Sequence, residues 1–147
     1  MASIHAQPLR SARRAGSYRR LVVPVRDGDD SDVAVAEACL LARSGTVVVA
    51  VAPVEVPLEL PLMVPDKSLD AGAREALALA RAIGIAHGVD VRTRLVRTRS
   101  AAEAIVHDAE REGADAIVLR VPRGSRLGPT VEYVLRHAGC RVLVAAS

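Results

Sequence analysis

Ala116-Ile117-Val118-Leu119 reads as an apolar strand that runs into a basic, glycine-bearing loop, Arg120–Gly128. A helix opened by Pro129 and Thr130 follows, and then a final apolar strand, Arg141–Ala145. A strand that hands a glycine-containing loop to a helix N-terminus is where α/β proteins hold phosphate groups. The freed backbone N–H groups and the helix dipole both favour an anion there.

Upstream, the same alternation of strand and helix continues, which predicts a parallel, helix-covered sheet. The first strand is Leu21–Val25. The first helix spans Ser31–Arg43, with Asp30 or Ser31 as N-cap and Gly45 just past its end. Thr46–Ala52 is an unbroken apolar strand of the kind buried on both faces. Pro53–Pro65 holds four prolines among alternating acidic and apolar residues, so it is expected as an extended loop. Within it Val56, Leu58, Leu60 and Leu62 are expected to fold back and pack. A second helix, Leu69–His87, ends at Gly88, and a third strand covers Val91–Val96. Ser100-Ala101-Ala102-Glu103 is a capping box that opens a third helix, which closes at Gly113. The fourth helix is Pro129–His137.

Composition narrows the function. The chain has 147 residues, half of them hydrophobic, yet two Tyr, no Phe and no Trp. Its core must be built from Val, Leu, Ile and Ala, and it lacks the flat rings on which single-stranded nucleic acids stack, so no specific nucleic acid is expected. The net charge is +3, and much of the excess lies in Met1–Arg20, which carries five arginines and no acidic residue. Residues 1–17 read as a disordered basic arm without the apolar run of a secretory signal, ahead of a domain at 18–147. Nowhere are there 18 uninterrupted apolar residues, so a cytoplasmic protein is expected. Cys39 and Cys140 sit in apolar surroundings and read as reduced, buried thiols.

The histidines do not assemble into a metal set: His87 and His137 sit at helix C-termini, His107 is mid-helix and His5 lies in the arm. No nucleophile is placed with a base, no pair of carboxylates marks a site, and the single lysine, Lys67, is not in a phosphate-binding motif. Catalysis is therefore not expected.

Two segments carry a family resemblance. Tyr18-Arg19-Arg20-Leu21-Val22-Val23-Pro24-Val25 resembles the opening strand of universal stress protein domains of the UspA type. Gly128-Pro129-Thr130 through Val134-Leu135-Arg136-His137-Ala138-Gly139-Cys140 resembles their closing helix and strand. The Val54–Leu62 loop is similar to the variant fused to amino-acid permeases and related cation transporters, which implies a membrane-transporter partner.

The resemblance implies a three-layer α/β sandwich of the adenine nucleotide alpha hydrolase-like, HUP type. Its five-stranded parallel sheet has the order 3-2-1-4-5, carries four helices and dimerises through the strand Arg141–Ala145. It further implies a site for ATP, AMP or a cyclic nucleotide or dinucleotide between strands one and four, where strand order reverses. The positions matching that site are Pro24, Val25, Arg26, Asp27, Val51, Arg120, Arg123, Gly124, Ser125, Gly128 and Thr130. Two departures stand out. Arg26 occupies the place of the family's aspartate, with Asp27 one step on. The phosphate loop is short and has Pro129 in place of its serine, which leaves fewer N–H groups for a triphosphate.

Arg26, Arg120, Arg123, Ser125 and Arg126 are expected to converge as an anion trap, since guanidinium groups offer forked donors and a permanent charge. The alternative is that these arginines are solvated and their stems fill the pocket. Gly124 and Gly128 are either ligand contacts or residues that permit a tight turn. Arg97 and Arg99 read as solvated charges at an edge strand. Two functions stay open: a nucleotide-responsive regulatory sensor, or a dimeric interaction module with a vestigial pocket.

Overall fold

Leu21, Val22 and Val23 are completely buried, which requires neighbours on both edges and both faces of their strand. They lie in β2, Arg20–Pro24, the centre of a computed structural model that describes residues 6–7, 18–28, 30–63 and 66–146. On one side β2 pairs in parallel with β3, Val47–Glu55, and β3 with β4, Asp90–Thr98. On the other side it pairs with β5, Ala116–Val121, and β5 with β6, Arg141–Ala146. These five strands realise the expected 3-2-1-4-5 order.

Alternation along each strand divides the core in two. Leu21, Val23, Val48, Ala50, Ala116 and Val118 pack under α1, Ser31–Leu41, and α2, Lys67–His87. Val22, Val49, Val51, Ile117, Leu119 and Val142 pack under α3, Ala101–Glu112, and α4, Pro129–His137. Small residues such as Ala34, Ala38, Ala76 and Ala80 let α1 and α2 lie close on the sheet. Cys39 is buried and Cys140 half-buried, both free, and burial pushes both thiols up from the ordinary value.

Helix ends follow local chemistry. Asp66 caps α2 by accepting from Ser68 N at 2.9 Å and Leu69 N at 3.3 Å. The Ser68 hydroxyl and these amides hold its carboxyl below the usual range. Gly88 and Gly113 end α2 and α3 at φ of 68° and 66°, where any side chain would be strained. Ser100 accepts from Glu103 N at 3.3 Å as the capping box requires. The reciprocal bond differs: Ser100 N donates to Thr98 Oγ1 at 3.0 Å rather than to Glu103.

Three expectations need correction. β3 does not stop at Ala52 but runs through Pro53 to Glu55, paired with β4 alone once β2 ends opposite Val51. Pro53 has no N–H to donate, and it is accommodated because β3 is an edge there. Within the following loop Val56 is buried, but Leu58 is 83% exposed and Leu60 and Met63 are exposed too, so Leu58 and Leu60 do not pack back. Finally, β6 is not a bare edge. Ala6–Gln7 forms β1 and pairs in parallel with Val142 and Leu143; the rest of the expected basic arm, 1–5 and 8–17, lies outside the described residues.

Candidate functional site

The switch point lies where β3 leaves β2 on one side and β5 leaves it on the other, at the strands' carboxyl ends. Two hollows open beside it, on the α2 side of the β2–α1 turn, and neither is lined by Arg120 or any other residue of β5. One, of about 500 Å³, is bounded by the β2–α1 turn (Val25, Arg26, Asp27, Asp30), by Val35 of α1 and by Glu75, Ala76 and Leu79 of α2. The other, of about 250 Å³, shares Val25, Arg26 and Asp27 and is closed by Ala52, Pro53 and Glu55 of β3 with Leu69 and Gly72 of α2. Together they match the size of small-molecule pockets, about 300–1,000 Å³.

The turn that separates them is held by one hydroxyl. Ser31 Oγ accepts from Arg26 N at 2.9 Å and donates to Arg26 O at 3.1 Å. This leaves the Arg26 side chain exposed. Asp27 is turned onto α2, where a Cβ at Gly72 would sit 3.1 Å from Asp27 Cβ. Asp30, the N-cap of α1, has φ 50° and its side chain makes no capping bond. The first turn of α1 thus has no side-chain cap, a positive helix end with amides to offer.

Arg120 is the last-but-one residue of β5 and falls on the α1–α2 face with Ala116 and Val118. Its side chain is 13% exposed. Nη2 lies 3.8 Å from Asp30 Oδ2, whereas Nε and Nη1 are buried with no hydrogen-bond partner among the described residues. Buried donors without acceptors cost free energy, so this guanidinium is poised to take an acceptor that the described residues do not supply.

The remaining expected site residues divide. Val25 lines both hollows, whereas Pro24 and Val51 line neither, and Val51 is wholly buried on the α3–α4 face. Arg123, Gly124, Ser125, Arg126 and Gly128 all stand exposed in the β5–α4 loop, and Thr130 is half-buried in α4. The expected convergence of arginines is therefore corrected. Of these four arginines Arg120 alone is largely buried, and Arg26, Arg123 and Arg126 have no side-chain partner among the described residues. Gly124 has φ 78°, which the turn closed by Ser125 N to Pro122 O at 3.1 Å requires. No protein atom approaches the place of a Cβ at Gly124 or Gly128.

Arg97 is likewise not a solvated charge. It forms a buried ion pair with Asp70 of α2, while exposed Arg99 donates to Val56 O at 3.0 Å and to Pro57 O at 2.6 Å. Residue type alone does not mark Asp70, and it marks Asp30 only as a helix N-cap. A signal for Asp70 existed, since it falls on the stripe of α2 that carries Ala73, Leu77, Ala80 and Gly84. Among the described residues no group of three or more His, Cys, Asp or Glu is placed to hold a metal ion, and no described helix is long and apolar enough to cross a membrane.

The family model that matches this chain is the universal stress protein family, over residues 17–146. The chain belongs to that family. Solved universal stress proteins share its fold. The one from Archaeoglobus fulgidus in complex with dAMP is 23% identical, covers 88% of this chain and 98% of its own, and superposes with a TM-score of 0.72. A family protein from Burkholderia pseudomallei is 28% identical over 86% of this chain and 95% of its own, with a TM-score of 0.67. One from Arabidopsis thaliana with AMP bound is 16% identical over 87% of this chain and 91% of its own, at 0.60. No curated protein matches the chain.

Proposed function

We propose that this universal stress protein domain binds an adenine nucleotide at the β2–β5 switch point and acts as a non-catalytic, cytoplasmic regulatory sensor. The observation that carries this reading is Arg120, whose buried Nε and Nη1 have no acceptor among the described residues. It lies 3.8 Å from Asp30 of the β2–α1 turn, and that turn, rather than Arg120 itself, lines hollows of ligand size. Solved relatives hold dAMP and AMP, which supports the adenine assignment.

A ligand that binds only the folded state raises stability by mass action. AMP at about a hundred times its Kd should add about 2.7 kcal/mol, read as a rise of several degrees in the melting temperature. ATP incubated with the protein should stay unhydrolysed. Melts unchanged by AMP, cyclic AMP, ATP and cyclic di-AMP would remove the sensor.

A second reading rests on a different feature. Leu58, Leu60 and Met63 are exposed on a loop pinned by the Arg99 bonds to Val56 and Pro57 and by Glu55, which accepts from Ala101 N at 2.9 Å. A pinned loop presenting apolar side chains suits docking on a partner such as a membrane transporter. Such a module would show no nucleotide response in the same melts.

Either form would assemble as a homodimer through β6, and β1 stands in the way. Removing residues 1–17 takes Ala6–Gln7 off the edge and leaves unpaired N–H and C=O groups that favour pairing with a second copy. Light scattering at tens of micromolar should find a larger dimer fraction for 18–147 than for the whole chain. Equal masses would contradict this.

A further inference from the structure

We propose that the free edge of β4 docks an extended, acidic segment of another protein, which adds to the sheet as one more strand. No residue of β4 lines either hollow beside the β2–α1 turn, so this surface is separate from the nucleotide site. Sheet order puts β4 at the end, paired with β3 alone. It runs for nine residues, Asp90–Thr98, against about 5–6 in a typical strand. Val56 N donates to Thr98 O at 2.8 Å, so Thr98 turns its amide and carbonyl toward β3. Alternation then turns those of Val91, Thr93, Leu95 and Arg97 outward. Among the described residues no strand pairs with them on that side. At the other end of the sheet β6 is covered by β1.

Charge then selects the occupant. β4 carries Arg92, Arg94 and Arg97 with Asp90 as its only carboxylate. Arg94 and Arg97 are tied inward, to Asp108 of α3 and Asp70 of α2. Three other guanidinium groups stay open to an incoming chain. Arg92 is 57% exposed and meets an equally exposed Asp90 at 3.4 Å, a pair that water weakens. Exposed Arg81 of α2 reaches over the strand and donates to Thr93 Oγ1 at 3.3 Å. Exposed Arg99 follows the strand directly. Among the described residues neither Arg81 nor Arg99 is in an ion pair. A second copy laid antiparallel on β4 would bring these arginines against their own counterparts, which repels it. An acidic segment meets the same charge as attraction, while its backbone takes the outward amides and carbonyls.

Fluorescence anisotropy of a labelled peptide titrated with the whole chain tests this. The peptide alternates glutamate and valine over about eight residues, enough to pair along the strand. Comparison ligands are a lysine–valine peptide, a glutamate–proline peptide, which lacks the amides for pairing, and an oligothymidylate. The glutamate–valine peptide should bind roughly tenfold or more tightly than any of these, and more weakly in high salt. Arg81→Glu combined with Arg92→Glu, both at exposed positions, should weaken it by about tenfold or more. Amide hydrogen exchange read by nuclear magnetic resonance separates strand addition from charge alone. Bound peptide should slow exchange by about tenfold or more at Thr93, Leu95 and Arg97, with little change at Arg92, Arg94 and Val96, which face β3. No binding, equal binding of the lysine–valine peptide or the oligothymidylate, or binding without this alternation overturns the proposal. So does protection of the same amides that grows with protein concentration in the absence of peptide, which would give the edge to a second copy.

Discussion

Replacing Asp70 by alanine should destabilise the domain by about 3–5 kcal/mol, the usual cost of stripping one partner from a buried ion pair. The Asp70 side chain is 6% exposed and that of Arg97 12%. The second neighbour of Asp70, Arg74, reaches it only at 3.9 Å from an exposed position. With Asp70 gone, the Arg97 charge is left in the seam between α2 and β4 with no carboxylate, where desolvation is not offset. For a domain of this size, with total stability of about 5–15 kcal/mol, the melting temperature should fall by about 10–20 °C. Urea denaturation followed by far-UV circular dichroism measures it. The pair is not itself a large source of stability, because burying two charges costs nearly what their attraction returns. Asp70→Leu combined with Arg97→Met should therefore recover most of the loss. A single Asp70→Ala variant within about 1 kcal/mol of wild type would show that the Arg97 guanidinium finds water instead.

Gly84→Ala should also destabilise, against its helix propensity. In an open helix the change gains about 1 kcal/mol. Here a Cβ would sit 2.4 Å from Val91 Cγ2, 2.8 Å from Val91 Cβ and 3.0 Å from Val89 O. Val91 is buried in β4, and Val89 N donates to Gly84 O at 2.9 Å in the closing turn of α2. Neither the strand nor that turn has room to retreat, so α2 must lift from β4. Overpacking of this kind costs about 1–3 kcal/mol. Val91→Ala in the same chain removes the Cγ2 contact and keeps the Cβ, so it should relieve part of the cost, with a favourable coupling energy of about 0.5–1 kcal/mol in a double-mutant cycle. An alanine variant as stable as wild type would contradict the packing described.

These two sites mark the boundary of what the residues declare locally. Gly88, Gly113, Ser100 and Pro129 fix helix ends through chemistry confined to one turn, and all four act where the sequence places them. The apolar alternation of β2, β3 and β5 likewise dictates a sheet covered on both faces. By contrast, the Asp70–Arg97 pair joins residues far apart in the chain, and neither residue alone declares its partner. Pro53 reads as a strand breaker until β3 is seen to run alone beside β4. The bare β6 edge is lost for the same reason, because β1 comes from the opposite end of the chain.

The site was legible in part. Arg120 stands out by residue type at the end of an apolar strand, and the structure places it within β5 rather than in the loop that follows. The glycines and arginines of 123–128 look equally suited by type, yet the short loop leaves them exposed. Asp30 announces itself as a helix cap, and its approach to Arg120 at 3.8 Å emerges only when β5 is laid beside β2.

Nuclear magnetic resonance of the isotope-labelled chain, titrated with AMP, tests the central claim most directly. The account predicts that amide shifts concentrate at Val25–Asp32 and at Leu119–Val121, on either side of the strand reversal, with the Arg120 Nε–H resonance moving as it gains an acceptor. Unmoved resonances, or shifts gathered at Arg123–Gly128 or around Leu58–Met63 instead, would contradict it.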